Sequence, residues 1–299
     1  MRPHSTHPTP DGSKTPLMDV FPGSLTLPPR APETSKRDYG SLLIIAGSVG
    51  LSGAASLCAE AALRGGAGLV SVGVPSEIYP IVASCNREAL CFPLPSERGL
   101  LSPDALEPIK QKLCHASAFV LGCGLGRSES LTALVRQLAG AASCPAVLDA
   151  DALFALGRDP ETILALPRPP ILTPHDGEFA RLGGALSGDR VENALSFAKS
   201  RNCALVLKGH RVICAFPDGA AYQINAGNPG MAKGGSGDAL AGLIGSLLCQ
   251  LPERDAILAA CLIHAQSGDK AARRLGEYSM LPRELIAAIP EVMKDMTPT

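Results

Sequence analysis

The chain has 299 residues, 46% of them hydrophobic, with 31 glycines, no tryptophan and only 4% aromatic residues. That supplies apolar material for one large core and is the composition of an Ala/Gly/Leu/Val-rich α/β enzyme rather than of a repeat or coiled-coil protein. The formal net charge of −1 excludes a phosphate backbone or an anionic membrane as the main partner, because both require a basic excess.

The first stretch, to about Glu33, is rich in Pro, Thr, Ser and His and lacks an apolar h-region. It reads as a flexible tail over residues 1–35 and not as a secretory signal, with a single domain expected over 36–299. From Tyr39 to Ala59 there is no charge, yet Gly40, Gly47, Gly50 and Gly53 divide that stretch and argue against a membrane span. Ser41–Ala46 is a short continuous apolar run, typical of a strand buried on both faces. A loop over 47–53 follows, then a helix from Ala54 to Arg64, a glycine stop, and a second strand over Leu69–Val74. This is a βαβ unit, and its pattern recurs. Strands are expected at 118–121, 146–148, 170–172 and 204–207, and helices at 129–139, from Phe179, and at 239–251, 253–275 and 282–288. The ten cysteines form no C-x-x-C pair and read as buried free thiols in a reducing cytosol.

Each distinctive polar cluster falls at the carboxyl end of an expected strand, where open α/β sheets bind ligands. Gly122-x-Gly124-x-Gly126 lacks the G-x-G-x-x-G spacing of a dinucleotide fold and reads as a tight turn where backbone approaches a ligand, or as a helix-entry turn with none. Asp149 and Asp151 could each hold Mg²⁺ through water, or cap the helix that follows. Thr173 is a possible cap for the helix carrying Glu178 in its first turn, and His175 could offer a neutral imidazole to a polar substrate group. Lys208-Gly209 places an ammonium beside flexible backbone, suited to phosphate or simply to solvent. Gly234-Gly235-Ser236-Gly237-Asp238 runs directly into an apolar helical pattern. Inward-turned amides of Gly235, Ser236 and Gly237 at a helix N-terminus make an anion hole, and Asp238 beside it suits a base or a metal-orienting carboxylate; the bland alternative is a glycine turn with an acidic cap.

Taken in order, Gly47-Ser48 with Gly53-Ala54-Ala55, Ala62-Leu63-Arg64 with Gly66-Ala67-Gly68-Leu69-Val70, Gly122-x-Gly124-Leu125-Gly126, Asp149-Ala150-Asp151-Ala152-Leu153, Thr173-Pro174-His175-x-Gly177-Glu178, Lys208-Gly209 and Met231-Ala232-x-Gly234-Gly235-Ser236-Gly237-Asp238 closely resemble the ADP-dependent NAD(P)H-hydrate dehydratase family. The resemblance runs from about Lys36 to Pro290. It implies a ribokinase-like, three-layer α/β/α sandwich with a mostly parallel central sheet. It also implies dehydration of the S-epimer of NADHX or NADPHX back to NADH or NADPH, with ADP as co-substrate, Mg²⁺ as cofactor, and AMP and phosphate as products. By position, Ala54, Gly124, His175 and Asp238 match residues that contact the hydrated cofactor. Lys208, Gly209, His210, Arg211, Val212 and Gly237 match the adenine-nucleotide site, with Asp238 as the catalytic base; no protein metal ligand is assigned. Family members usually have Pro where Cys123 stands, commonly Thr in place of Val212, and often Thr in place of Ser236. The resemblance further implies a cytoplasmic homo-oligomer working with an NAD(P)HX epimerase on a separate protein, since about 35 residues before the first strand are too few for such a domain. The rival expectations are a vitamin-precursor kinase of the same superfamily and a nucleotide-binding sensor without turnover.

Overall fold

The computed structural model describes residues 3–8 and 14–298. Its strands are β1 (Pro3–Pro8), β2 (Lys14–Val20), β3 (Ser41–Ile45), β4 (Leu69–Pro75), β5 (Leu90–Leu94), β6 (Ser96–Glu97), β7 (Leu100–Leu101), β8 (Ala118–Leu121), β9 (Ala146–Leu148), β10 (Ile171–Leu172), β11 (Ala204–Leu207), β12 (Ile213–Ala215) and β13 (Ala221–Ile224). The α-helices are α1 (Ser52–Arg64), α2 (Tyr79–Cys85), α3 (Leu106–Leu113), α4 (Glu129–Ala141), α5 (Asp151–Leu156), α6 (Asp176–Arg181), α7 (Arg190–Arg201), α8 (Ser236–Leu248), α9 (Glu253–Leu275) and α10 (Pro282–Met296).

All strands but β6 and β7 join one 11-stranded sheet in the order β1-β2-β13-β12-β11-β10-β9-β8-β3-β4-β5. From β11 to β5 every neighbouring pair is parallel, whereas β12 pairs antiparallel with both β11 and β13. The period of two in a strand sorts the central residues between two cores. Leu42, Ile44, Ala118 and Val120 pack with α1, α2, α8, α9 and α10 on one face. Leu43, Ile45, Phe119 and Leu121 pack with α3 to α7 on the other. Because both faces are covered, these strands are continuous apolar runs, and the fold is the expected three-layer α/β/α sandwich.

Glycines let α8 approach its neighbours closely. A Cβ on Gly242 would stand 2.0 Å from the Cys58 carbonyl oxygen of α1, so the two backbones touch where the helices cross. A Cβ on Gly245 would stand 2.5 Å from Val120 and 2.9 Å from Leu42 of the sheet. A helix buried by α1, α9 and the sheet has no solvent face, which accounts for the near-continuous apolar sequence 239–248.

Three expectations are revised. Within the stretch read as a tail, Lys14–Val20 runs parallel to β13, and Leu17 and Val20 are buried there, so part of that stretch belongs to the sheet. The helix expected over 282–288 continues to Met296 through Pro290, because Leu285, Ile286, Ile289, Val292 and Met296 form a buried stripe whose packing outweighs the lost amide bond. Not all cysteines are buried: Cys85 and Cys114 are exposed, although all ten are free thiols.

Candidate active site

The site is assembled at the carboxyl ends of β8, β9, β10 and β11, where four loops meet the N-terminus of α8. Gly235 precedes α8 with φ +99°, a left-handed conformation, and a Cβ there would strike Leu57 and Pro282. Only glycine turns the chain into the helix at this point without strain. Among the described residues the N–H groups of Gly235 and Gly237 have no partner, as expected of donors awaiting an anion. The Ser236 N–H differs from that expectation, since it donates to the Lys233 carbonyl at 3.2 Å. Lys233 in turn donates through Nζ to the carbonyls of Tyr278 and Met280, both at 2.6 Å, and so ties the glycine loop to the connection between α9 and α10.

Opposite the helix terminus lies a buried ion pair. Lys208 Nζ donates to Asp149 Oδ1 at 2.8 Å and approaches Glu178 Oε2 at 3.8 Å. Asp149 is 1% exposed, and its Oδ1 also accepts from the Thr173 hydroxyl at 2.7 Å. Thr173 therefore serves the ion pair and is not a helix cap. Burial alone would pull the Lys208 pKa down, but Asp149 and Glu178 outweigh it and hold the ammonium charged. A Cβ on Gly237 would stand 3.2 Å from Lys208 Nζ, so glycine there lets the ammonium and the helix terminus share one anion.

Asp238, in the first turn of α8, completes the cluster. One ligand-type atom each of Asp238, Asp149 and Cys123 lies within 4.8 Å of the others. Burial, then the charge of Asp149, pushes the Asp238 pKa up to about 6, against the opposing pull of the Cys123 thiol and of Lys208. A base poised near neutrality is the consequence. The Cys123 thiol points at Asp149 Oδ2 at 3.8 Å and is held protonated, first by its hydrogen bond with Cys58 and then by burial.

The remaining expected residues divide. Ala54 and Gly124 face each other, for a Cβ on Gly124 would lie 2.7 Å from the Ala54 Cβ. His175 is the N-cap of α6: its Nδ1 accepts from Gly177 N–H at 3.0 Å and from Glu178 N–H at 3.3 Å, while the Glu178 carboxylate accepts from the His175 N–H, a capping box. Its side chain is 61% exposed, and the other ring nitrogen, Nε2, lies 3.5 Å from Glu178 Oε1, a carboxylate that also approaches Lys208. His210 and Arg211 are exposed on the turn between β11 and β12, where no hydrogen bond or ion pair among the described residues holds their side chains. Gly209 packs on the Arg190 guanidinium, which also donates to the Lys208 carbonyl at 2.7 Å. Val212 is half-buried against the core, and its carbonyl accepts from Ile224 N–H at 2.9 Å. Asp151 is a structural clamp, its two oxygens taken by Gly126 N–H at 2.9 Å and Arg127 Nε at 3.0 Å, which leaves Asp149 as the carboxylate facing the site.

Sequence reasoning missed the pairing of Asp149 with Lys208 and two residues of α9. Asp269 accepts from Gly227 N–H at 3.0 Å and from Asn228 Nδ2 at 2.9 Å, fixing the start of the glycine loop. His264 lies 2.9 Å through Nε2 from the Ser236 carbonyl oxygen. Neither stands near the loop in sequence, and no local signal marks them.

The pattern of the NAD(P)H-hydrate dehydratase family matches residues 42–291. The chain is 40% identical over 276 residues to the bifunctional NAD(P)H-hydrate repair enzyme Nnr of Moorella thermoacetica, an alignment covering 90% of this chain and 52% of that protein. It thus spans about half the length of that curated relative. A ribokinase-like superfamily protein of Enterococcus faecalis superposes with a TM-score of 0.84 at 25% identity, covering 94% of this chain and 96% of the other. The ADP/ATP-dependent NAD(P)H-hydrate dehydratase of Bacillus subtilis, co-crystallised with ATP and Mg²⁺, superposes with a TM-score of 0.77 at 32% identity, covering 91% and 95%. With its ribokinase-like sandwich and the loops of β8 to β11 gathered on the first turn of α8, this chain belongs to the NAD(P)H-hydrate dehydratase family.

Proposed function

We propose that this protein dehydrates the S-epimer of NADHX or NADPHX, using ADP and releasing AMP, phosphate and the restored reduced nicotinamide cofactor. The observation that carries the reading is the juxtaposition of Asp238 with Lys208 and the unpartnered Gly237 N–H at one helix terminus. That arrangement puts a base beside a site for a transferring phosphoryl group.

In this reading Asp238 takes the proton of the ring hydroxyl as its oxygen attacks the terminal phosphorus of ADP. A phosphorus–oxygen bond forms to the substrate as the bond to the AMP oxygen breaks, and the Gly237 N–H and Lys208 hold the charge that develops. Phosphate is a far better leaving group than hydroxide. The ring nitrogen's lone pair expels it, and loss of a ring proton restores the dihydropyridine. Ala54 and Gly124 would form a surface with little side-chain bulk on which the ring can lie, and His175 would meet a polar group of the hydrated cofactor.

The chain's residues fit Mg²⁺ through Asp149, whose Oδ2 is a hard oxygen that Lys208 and Thr173 do not use and that meets only the Cys123 thiol at 3.8 Å, whereas that protonated thiol is itself unsuited to the ion. When bound with the nucleotide, Mg²⁺ offsets the charge of the diphosphate. His210, Arg211 and Val212 would serve the adenosine end of the nucleotide through backbone and exposed side chains. The test is direct: incubate the protein with NADHX, ADP and Mg²⁺ and follow both absorbance of the reduced nicotinamide and AMP. Recovery with stoichiometric AMP is expected; no recovery, or phosphate retained on a stable alcohol, sinks the reading.

A further inference from the structure

We propose that His264 is a positioning residue that aims the Gly237 N–H at the nucleotide's terminal phosphate by holding the far side of the same peptide plane. The inference rests on the nucleotide site proposed above. His264 sits in the middle of α9, 7% exposed, with its Nε2 2.9 Å from the Ser236 carbonyl oxygen and 3.4 Å from the Ser236 hydroxyl. A peptide unit is planar and trans, so the carbonyl of Ser236 and the N–H of Gly237 point in opposite directions from one rigid plane. Holding the carbonyl toward α9 therefore turns the N–H away from it. The residue that carries this N–H stands beside the buried ion pair, for a Cβ built on Gly237 would meet Lys208 Nζ at 3.2 Å and Asp149 Oδ2 at 3.8 Å.

The imidazole is suited to this task because it stays neutral. Burial, with the Lys208 charge adding to it, depresses its pKa to about 4 despite the stabilising bond to Ser236. A carbonyl oxygen can only accept, so Nε2 carries the hydrogen and His264 is the donor. The bond is also surplus to the helix. As the first residue of α8, Ser236 already offers its carbonyl to the amide four residues on, so the fold does not need a second donor to satisfy it. The preceding peptide is held as well, through the 3.2 Å bond from Ser236 N–H to the Lys233 carbonyl. First turns of helices fray when nothing else holds them, and here side chains and loop fix both flanking peptides of Ser236.

Glutamine and methionine have nearly the same length and volume, but only glutamine brings an N–H. The experiment is to prepare H264Q and H264M with the wild type and to measure ADP affinity by calorimetry in the absence of NADHX, along with Tm. We expect H264M to bind ADP about tenfold more weakly than wild type and H264Q to stay within about threefold, the scale of one hydrogen bond. The two variants should differ little in Tm. Equal affinities for H264M and H264Q, or a loss that follows Tm alone, would overturn the proposal and leave His264 a core residue. Wild type that binds ADP but does not restore NADHX refutes the dehydratase reading while the comparison of variants still stands. Wild type that binds no ADP refutes both.

Discussion

Asp238 owes its chemistry to its neighbours. A carboxyl of ordinary pKa 3.8 would be a weak base at neutral pH, and burial together with Asp149 lifts this one to about 6. In the proposed mechanism the base form is the active one, so kcat/KM should rise with pH through about 6 and level above it, which a pH–rate profile reads directly. D238N should keep ADP affinity and lose at least about 10²-fold in kcat; near-normal turnover would remove Asp238 from that role. The sign for stability is opposite. Because the folded form holds its proton more tightly than the unfolded chain, this group's contribution to stability is complete below 3.8 and is lost as pH rises through about 6. At the same scale, K208M strips a 1%-exposed carboxylate of its cation. Breaking such a pair by removing one partner costs about 3–5 kcal/mol, to be seen in denaturant unfolding. A neutral outcome would mean that the pair adds nothing to the stability of the fold.

Among elements, α6 and α8 place the site, and each makes a separable demand. The capping box gives His175 a structural duty besides any contact with substrate. H175S keeps an oxygen for the cap while removing the ring, and H175A removes both. Unfolding should therefore show H175A less stable than H175S by about 1 kcal/mol. If the ring also meets the hydrated cofactor, both variants should raise KM for NADHX alike. For α8 the demand is steric. G242A would drive a methyl group into the Cys58 carbonyl, and α1 would have to move away. Overpacking of this kind costs about 1–3 kcal/mol, and α1 carries Ala54, so substrate affinity should fall together with Tm. Unchanged Tm would mean that the crossing is looser than the structure has it.

At the scale of the molecule, the sheet brings together what the chain keeps far apart: Ala54 meets Gly124, and Cys123 and Asp149 meet Asp238. The order in the sheet is the reason: β8, β9, β10 and β11 are parallel neighbours, so the loops that follow them leave from one edge. The stretch before β3 joins this arrangement. Asn225, at the head of the glycine loop, donates its N–H to the Val20 carbonyl at 2.8 Å and its side-chain amide to Asp19 at 2.8 Å. Removing residues 1–20 should therefore lower Tm and weaken ADP binding, whereas a dispensable tail would leave both unchanged. No helix among the described residues is long and apolar enough to cross a membrane.

Much of this was legible in the chain because it depends on local rules. Short continuous apolar runs mark β3, β4, β8 and β11, the stripe and charge pattern of 253–275 mark α9 to the residue, and the glycine run before an apolar pattern marks the start of α8 with Asp238 in its first turn. The strands beyond β11 were not legible: β12 and β13 are short, β2 lies in a stretch of mixed polar and apolar residues, and what makes each a strand is the neighbour it pairs with. The same holds within the site. Sequence marked Lys208, Asp149, Glu178 and Thr173 as polar groups at strand ends, but only the packed sheet decides that they bond one another, that Asp151 is a clamp, and that the Ser236 amide is spent on Lys233. Local pattern sets which residues are available at the cleft; distances across the fold, which local pattern does not carry, set their partners and hence their charge. His264 is the extreme case, a histidine in an apolar helix whose place beneath the Ser236–Gly237 peptide exists only once α9 has docked on α8.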